Sequence, residues 1–303
     1  MSQDKPVRAQ APGPVALSGI QVDVTNRLGV LRPTTTTGLP ALDRLLGGGL
    51  RPGMLLGLVS EPGLGRTTLA LLMAYMAARS KAAAIFSAVA LDETEIVARL
   101  TARALHRERP DAQIPYGSIW SGQALQDPEL MPLVLDAVDT VVRKVGSQLH
   151  LHRAASLEPT GALAERASQL WSRSERVLLV VDDIEGLYAS ADGSASKQAA
   201  VNATLSGRIG QSAFDLKAIA EQGCAVVATA LTRHAELIAP AATVLVEVRA
   251  TAAVRGVIPE ALLALGAQNV ELVVRKNRLG ATGVIPLRLV PGAGLAEERA
   301  RSE

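Results

Sequence analysis

A glycine-rich segment at residues 60–68, SEPGLGRTT, has the residue types and spacing best suited to binding phosphate. It follows the apolar run MLLGLVS (54–60) and precedes the helical pattern TTLALLMAYMAARS (67–80). A phosphate-binding loop lies between a strand and a helix in this way, with the pattern G-x-x-x-x-G-K-[ST]. Its glycines let backbone N–H groups converge on phosphate oxygens, and its final hydroxyl is placed to bind Mg²⁺. The segment is therefore predicted to bind a nucleotide.

This segment departs from the phosphate-loop pattern at two positions. Ser60 stands where the pattern has its first glycine, and Arg66 stands where it has lysine. A guanidinium is planar and wider than an ammonium, so it does not replace a lysine conservatively between two phosphates. Two alternatives stay open: a glycine turn without a ligand, and a loop that binds another anion or has lost its ligand. The residues predicted to bind the nucleotide are Ser60, Glu61, Pro62, Gly63, Leu64, Gly65, Arg66, Thr67 and Thr68.

A second acidic group ends the apolar run RVLLVVDD (176–183). An acidic side chain at the carboxyl end of a buried strand can reach the Mg²⁺ of a bound nucleotide. Asp182 is the better placed of the two aspartates, so Asp182 and Thr67 are the predicted Mg²⁺ ligands. The alternative is that Asp182 and Asp183 cap the turn that follows the strand.

Other reactive side chains do not form a convincing site. His150 and His152 share one face of a predicted strand, but the sequence offers no third ligand nearby for zinc. Cys224 opens an apolar strand and is predicted to be a small buried side chain. As the single cysteine, it excludes an internal disulfide and fits a reducing compartment. No serine lies in a recognisable nucleophile turn.

Composition limits the class of protein. Of 303 residues, 48% are apolar, but the aromatic ones number two Trp, three Tyr and two Phe, so Ala, Leu and Val must fill the core. This mixture suits an α/β protein and argues against lectin-like β-sandwiches. It also argues against proteins that bind single-stranded nucleic acid by stacking bases on aromatic side chains. The net charge of +2 does not by itself demand nucleic acid as a partner. We find no signal-peptide core and no apolar stretch long enough to span a membrane, and we expect a cytoplasmic protein.

Apolar runs alternate with helical patterns along the chain, which predicts a mostly parallel sheet flanked by helices. Four late runs, CAVVATAL, ATVLVEV, NVELVVR and VIPLRLV, lack clear intervening helices and suggest an antiparallel edge. Residues 1–33 are predicted to form a flexible arm with a short ordered piece near IQVDV (20–24). Residues 34–290 form the core, and 291–303 a polar tail.

Helices and one short strand complete this outline. The segment 189–200 is predicted to be a mobile loop, and PEALLALGAQ (259–268), within an apolar insert at 250–268, a short amphipathic helix. Asp92 and Glu95 form a capping-box pair. A strand is predicted around QLHLH (148–152). Helices are predicted at 67–80, 92–108, 128–145, 161–174 and about 199–222.

Five segments, in the expected order, resemble RecA-type ATPases. The segment TTGLPALDRLLGGGLRPG (36–53), followed by the phosphate loop, is similar to the first part of RecA-type ATPases of the RadA and KaiC kind. The stretch 149–190 and LKAIAEQGCAVVATALTRH (216–234) resemble the motor domain of DnaB-type replicative helicases. RKNRLGATGVIPLRL (275–289) resembles both their lysine–arginine motif and the KNRFG motif of RadA. The resemblance covers about 34–290 and implies an α/β, RecA-like core that binds ATP and Mg²⁺.

The same resemblance implies that Lys276 and Arg278 act in trans, reaching across a subunit interface to the γ-phosphate of a neighbouring copy in a ring or filament. A solvated hairpin end is the alternative for this pair. DNA contacts are expected from loops that face the channel of the ring. The candidates are 107–118 and the loop with Lys197 and Arg208, and neither is strongly basic.

Two further positions depart from the family pattern. The family has a glutamate that activates water just after its second strand, and the matching place here falls around Val89. Asp92 and Glu93 come later, although a shift by one residue would bring in Asp92. The polar sensor glutamine of the family falls on Leu231, where Thr229 or Thr232 would be weak substitutes. These changes favour slow or absent hydrolysis over a fast motor.

Three functions are compatible with these motifs. The first is a DnaB/RadA-like ATP-binding protein in DNA replication, recombination or repair, assembled as a homo-oligomer, with single-stranded DNA and DNA-processing proteins as partners. The second is a non-catalytic RecA-fold scaffold or regulator that binds partner proteins. The third is a KaiC-like signalling ATPase, which needs no DNA.

Overall fold

A computed structural model describes residues 16–28, 30–155, 157–171, 173–189, 203–251 and 258–299. The chain divides into two units, residues 1–32 and 33–303. The described part of the first unit holds a twelve-residue helix, α1 (Leu17–Leu28), which includes IQVDV. The short ordered piece expected within the flexible arm is therefore a helix of more than three turns.

The second unit is built on a nine-stranded sheet with strand order β11-β10-β9-β8-β1-β7-β5-β2-β3. The six strands from β8 to β3 run parallel, and β9, β10 and β11 are antiparallel to their neighbours. The predicted α/β class, with a mostly parallel sheet and an antiparallel edge, is confirmed. The strands are β1 Leu55–Ser60, β2 Ala83–Ala88, β3 Leu149–Arg153, β5 Val177–Asp182, β7 Ala225–Leu231, β8 Val244–Ala250, β9 Gln268–Asn277, β10 Gly283–Val290 and β11 Leu295–Glu298, with a separate pair β4 Glu158–Pro159 and β6 Leu187–Tyr188.

Helices cover both faces of the sheet. One core layer lies under α3, α4 and α7, and a second, on the other face, under α8, α9 and α10. Because β1, β2 and β5 are buried on both faces, they consist of continuous apolar runs rather than alternating ones. The helices are α2 Pro40–Leu45, α3 Arg66–Arg79, α4 Glu93–Glu108, α5 Tyr116–Trp120, α6 Gln123–Gln126, α7 Leu130–Val145, α8 Thr160–Trp171, α9 Leu205–Glu221, α10 Ala235–Ile238 and α11 Glu260–Ala264.

The late part of the chain differs from its prediction in two respects. Of the four late strands, β7 and β8 both pair in parallel with β1, so only the later two belong to the antiparallel edge. The segment 291–303, predicted to be a polar tail, contains β11, which pairs with β10. Leu295 and Ala296 are buried there, and burial of these apolar side chains favours a strand over a free tail.

Two predictions fall partly or wholly outside the described residues. The predicted mobile loop at 189–200 lies outside the described residues except for Ala189. Lys197, a candidate for DNA contact, also lies outside them. Within the insert at 250–268, residues 252–257 lie outside, and the described part holds α11 where a short helix was predicted. In the described part of the chain, every helix is too short or too polar to cross a bilayer.

His152 takes part in a polar cluster where β2 and β3 end. Its Nδ1 lies 3.0 Å from the Ser87 hydroxyl, and its Nε2 lies 3.5 Å from Oε1 of Glu158. Arg166 donates to the same Glu158 oxygen at 2.8 Å. Burial lowers the pKa of His152 and outweighs the opposing effect of the Glu158 carboxylate.

This lowered pKa predicts a pH dependence of stability. The folded chain binds the His152 proton less tightly than the unfolded chain, so the free energy of unfolding falls as the pH drops below about 6.5. Beside Glu158, the charges that face His152 are Arg166, which lowers its pKa, and Glu93, which raises it. When the pH is lowered from about 7 to about 5.5, we expect the free energy of unfolding of His152→Gln to fall by less than that of wild type. Urea unfolding at each pH measures this difference. The exposed His150 supplies the control, because His150→Gln should keep the full loss; equal losses in all three proteins would contradict the prediction.

Candidate nucleotide-binding site

The glycine-rich loop connects the end of β1 to the start of α3. Gly63 and Gly65 have φ angles of 81° and 76°, a left-handed conformation that favours glycine. A Cβ on Gly65 would also lie 2.6 Å from Cδ1 of Leu289 in β10. The loop therefore favours glycine at 65 for its backbone conformation, and a larger residue would also require the Leu289 side chain to move. The backbone N–H groups of the first turn of α3 lie at this N-terminus and favour an anion there.

Asp182 lies at the end of β5 beside the first turn of α3. Its Oδ2 accepts a 2.8 Å hydrogen bond from the Thr67 hydroxyl, and its Oδ1 accepts one of 2.6 Å from Thr229. The side chain is buried. The structure thus brings together the two predicted Mg²⁺ ligands, which are 115 residues apart in the sequence. A hydroxyl and a carboxylate are oxygen ligands of the kind that Mg²⁺ prefers.

Arg66 extends from the loop toward Asp183. Its Nη2 lies 3.3 Å from Asp183 Oδ2, while its Nε and Nη1 are buried without a hydrogen-bond partner. Buried donors of a charged group without an acceptor are unfavourable, so this guanidinium fits an anion that supplies the missing acceptors. The pKa of Asp183 is raised, chiefly by burial and then by Glu185, and Arg66 acts against this rise.

A cavity of about 240 Å³ opens over the loop. Of the nine residues predicted to bind the nucleotide, all except Leu64 line it; Leu64 packs against the core instead. The cavity is also lined by Arg99 of α4, Tyr116 of α5 and Pro291. The Arg99 guanidinium lies 4.0 Å from the centre of the Tyr116 ring and is held by Glu95 at 2.8 Å.

The contribution of Arg99 and Tyr116 to this cavity was not predicted from the sequence. Arg99 lies within a helical pattern and carries no motif of its own, and Tyr116 falls in the segment 107–118 that was assigned to possible DNA contacts. The structure places Tyr116 at the cavity. The only signal in the sequence is its rarity, since Tyr116 is one of three tyrosines.

The position after β2 carries no carboxylate. The backbone N–H of Val89 donates to the Asp182 carbonyl at 3.0 Å, so Val89 lies beside the strand end that bears Asp182. Asp92 caps α4 by accepting from the Glu95 N–H at 2.7 Å, as predicted, while the Glu95 carboxylate binds Arg99. Glu93 is exposed in the first turn of the same helix.

The end of β7 corresponds to the place of the polar sensor. Leu231 stands at that end, and its N–H donates to Glu185 at 3.4 Å. Of its predicted substitutes, Thr229 binds Asp182, whereas the Thr232 hydroxyl is buried without a partner. Glu185 also lies 3.3 Å from Nε2 of His234. Thr229 is thus the polar side chain that β7 contributes to the site.

Lys276 and Arg278 do not lie at this site. Asn277 pairs with Val244 at the start of β8, so the end of β9 is at the edge where the parallel strands begin. The phosphate loop is at the edge where those strands end. Lys276 donates to the Ala239 carbonyl and Arg278 to the Pro240 carbonyl, the latter at 3.1 Å. Burial, and then the Arg278 charge, lower the pKa of Lys276.

Metal-binding clusters of three or more His, Cys, Asp or Glu side chains do not occur among the described residues. His150 is exposed and His152 belongs to the cluster with Ser87 and Glu158. Cys224 is buried, which raises the pKa of its thiol to about 12. The prediction of a small buried cysteine is confirmed.

Comparisons with known proteins bear on the family and the fold of the chain. The model of the DnaB-like helicase C-terminal domain family matches residues 34–293. The structure described as the ATPase domain of G40P superposes with a TM-score of 0.70 at 14% identity, over 94% of this chain and 99% of that one. A DnaB-like replicative helicase, described with its interactions with primase, superposes with a TM-score of 0.67 at 15% identity, over 93% of this chain and 66% of that one.

At these identities the superpositions show a shared RecA-like fold. A search of the curated proteins finds no match. The family match spans most of the chain and includes the phosphate loop, Asp182 and the Lys276–Arg278 pair. The chain belongs to the DnaB-like helicase C-terminal domain family.

Proposed function

We propose that this protein is a RecA-fold, DnaB/RadA-like protein that binds ATP with Mg²⁺ and hydrolyses it slowly or not at all. The observation that carries the proposal is the hydrogen bond between Thr67 and Asp182 beside the first turn of α3. It puts a hydroxyl and a carboxylate next to a loop whose N–H groups favour phosphate. Bound Mg²⁺ would supply charge neutralisation of the phosphates.

The cavity gives the nucleotide an orientation. The loop and Arg66 would hold the phosphates at one wall, and Thr67 and Asp182 would hold Mg²⁺. The cavity is also lined by Arg99 and Tyr116, whose guanidinium and aromatic planes suit a nucleobase because both stack on π systems.

Slow hydrolysis is proposed because, among the residues that the structure describes, the position that follows β2 offers no free carboxylate to activate water. Val89 stands where the family has glutamate, and Asp92 is held in the cap of α4. Loss of a positioned base reduces a rate by roughly 10²–10⁴. Arg66 in place of lysine further alters contacts to the phosphates, because a guanidinium is wider and binds in a plane.

We further propose that the protein acts as a homo-oligomer, a ring or a filament, in DNA replication, recombination or repair. The support is that Lys276 and Arg278 lie where the parallel strands begin, whereas the phosphate loop lies where they end. Contact of this pair with the γ-phosphate of a bound nucleotide would therefore require a second copy of the chain. Single-stranded DNA and DNA-processing proteins are the proposed partners, and the cytoplasm is the proposed compartment.

The second candidate is a non-catalytic scaffold or regulator that binds partner proteins. It is favoured by the contact between Arg66 and Asp183, since this ion pair uses part of the guanidinium that would otherwise bind phosphate. A scaffold of this kind needs neither turnover nor stimulation by DNA.

ATP binding and hydrolysis, measured with and without single-stranded DNA, test the proposal. We expect ATP to bind in the presence of Mg²⁺, and Thr67→Ala to weaken this binding about tenfold, because one oxygen ligand is lost. Thr94→Ala, which removes an exposed hydroxyl from α4, is the control and should bind as wild type does. Wild-type protein that fails to bind ATP would favour the scaffold, and turnover stimulated by DNA and lost in Thr67→Ala would contradict slow hydrolysis.

A further inference from the structure

The phosphate loop is held from outside by a pair of strands from the end of the chain. The side-chain amide of Gln268, at the start of β9, donates a 2.8 Å hydrogen bond to the Gly63 carbonyl. Leu289 of β10 packs beside Gly65, where a Cβ would meet it. Gln268 and Leu289 are direct partners in the register of β9 and β10. One cross-strand pair therefore contacts both glycines of the loop.

The hydrogen bond to the Gly63 carbonyl also orients the N–H of the next residue, Leu64. In a trans peptide, the C=O of one residue and the N–H of the next lie in one plane and point in opposite directions. The Gly63 carbonyl and the Leu64 N–H share such a plane, so the hydrogen bond that holds the carbonyl also sets the direction of that N–H. The Leu64 N–H itself donates only a long bond of 3.4 Å, to the Glu61 carbonyl, and is weakly held by that bond.

We propose that Gln268 is a positioning residue for the phosphate loop, which orients the Gly63–Leu64 peptide through its amide donor. This inference rests on the proposed function for its effect on ATP, but its effect on the order of the loop is independent of any ligand. Gln268 does not touch the reacting atoms in this proposal. Its role is to hold the peptide plane that follows the exposed stretch 61–63 of the loop.

The first measurement is the affinity for ATP with Mg²⁺ of the full chain carrying Gln268→Met. Methionine is close to glutamine in length and shape but cannot donate a hydrogen bond. We expect ATP to bind about threefold to tenfold more weakly, the loss typical of one hydrogen bond, while adenosine binds as before. Gln268→Lys, which restores a donor, should recover most of the affinity. Gln222→Met, at an exposed position after α9, is the control.

The second measurement is backbone hydrogen exchange of a peptide spanning residues 60–68 in protein without nucleotide. We expect faster exchange in Gln268→Met than in wild type and Gln222→Met, with thermal unfolding unchanged in all three. Unchanged exchange in the loop would overturn the inference whether or not ATP binds. Faster exchange together with unaltered ATP affinity would overturn it as well, because the loop would then not need this contact.

The two proposals fail in different ways. If wild type binds no ATP, the proposed function fails, and hydrogen exchange alone still decides whether Gln268 orders the loop. If wild type binds ATP and Gln268→Met matches it in both measurements, the proposed function stands and the positioning role does not.

Discussion

Asp182→Asn is expected to remove the Mg²⁺ dependence of ATP binding. The variant keeps an oxygen and nearly the same shape, and its amide can still hydrogen bond to the hydroxyls of Thr67 and Thr229. What it loses is the negative charge that holds a divalent cation. We expect ATP in the presence of Mg²⁺ to bind about 10–100-fold more weakly, the range seen when a group that supports a metal site is removed. Titration of a fluorescent ATP analogue, with Mg²⁺ and with EDTA, measures this effect.

The pattern across the two conditions matters more than the size of the loss. Wild type should bind more tightly with Mg²⁺ than with EDTA, whereas Asp182→Asn should bind equally in both. Asp136→Asn, which neutralises an exposed carboxylate on α7, is the matched control and should retain the Mg²⁺ effect. If Asp182→Asn keeps the full Mg²⁺ effect, the hydrogen bond between Thr67 and Asp182 is a structural contact and the metal site lies elsewhere.

The fold could be predicted from the sequence wherever the signal is local. The buried strands β1 and β5 are continuous apolar runs, and the loop after β1 carries its own glycine pattern, so their positions follow from the residues themselves. The strand after residue 290 could not be predicted in this way, because β11 has only two buried apolar positions, followed by charged ones. Such a short strand is stabilised by its pairing with β10, and this pairing is not visible in the segment alone.

The candidate site divides in the same way. Thr67 and Asp182 were predicted because each ends or begins an element with a strong pattern, and parallel strands bring such ends to one edge. Arg99, Tyr116 and Gln268 were missed. They belong to segments without a motif, and only the packing of α4, α5 and β9 around the loop brings them to it. The position of Lys276, at the end of the sheet away from the phosphate loop, likewise depends on the antiparallel direction of β9. The sequence predicts antiparallel strands in this part of the chain, but it does not predict the direction of each strand.

Val89→Glu is expected to increase ATP turnover if the lack of a base limits hydrolysis. The backbone of Val89 is bonded to the strand end that bears Asp182, so a longer acidic side chain at this position starts next to the proposed Mg²⁺ site. A positioned general base contributes roughly 10²–10⁴ in rate, and even a poorly placed carboxylate should give a gain at the lower end. Steady-state phosphate release by the purified variant measures it.

Val89→Gln is the matched control, because it has the size of glutamate but cannot accept the proton of an attacking water at neutral pH. It also reports on packing, since the Val89 side chain lies against Gly186, where a Cβ would come within 2.3 Å of it. A gain in Val89→Glu but not in Val89→Gln assigns the slow step to the missing base. If neither variant gains while both still bind ATP, hydrolysis is limited by another group. Arg66 is then the next candidate, because its guanidinium is shared with Asp183 and stands where the family pattern has lysine.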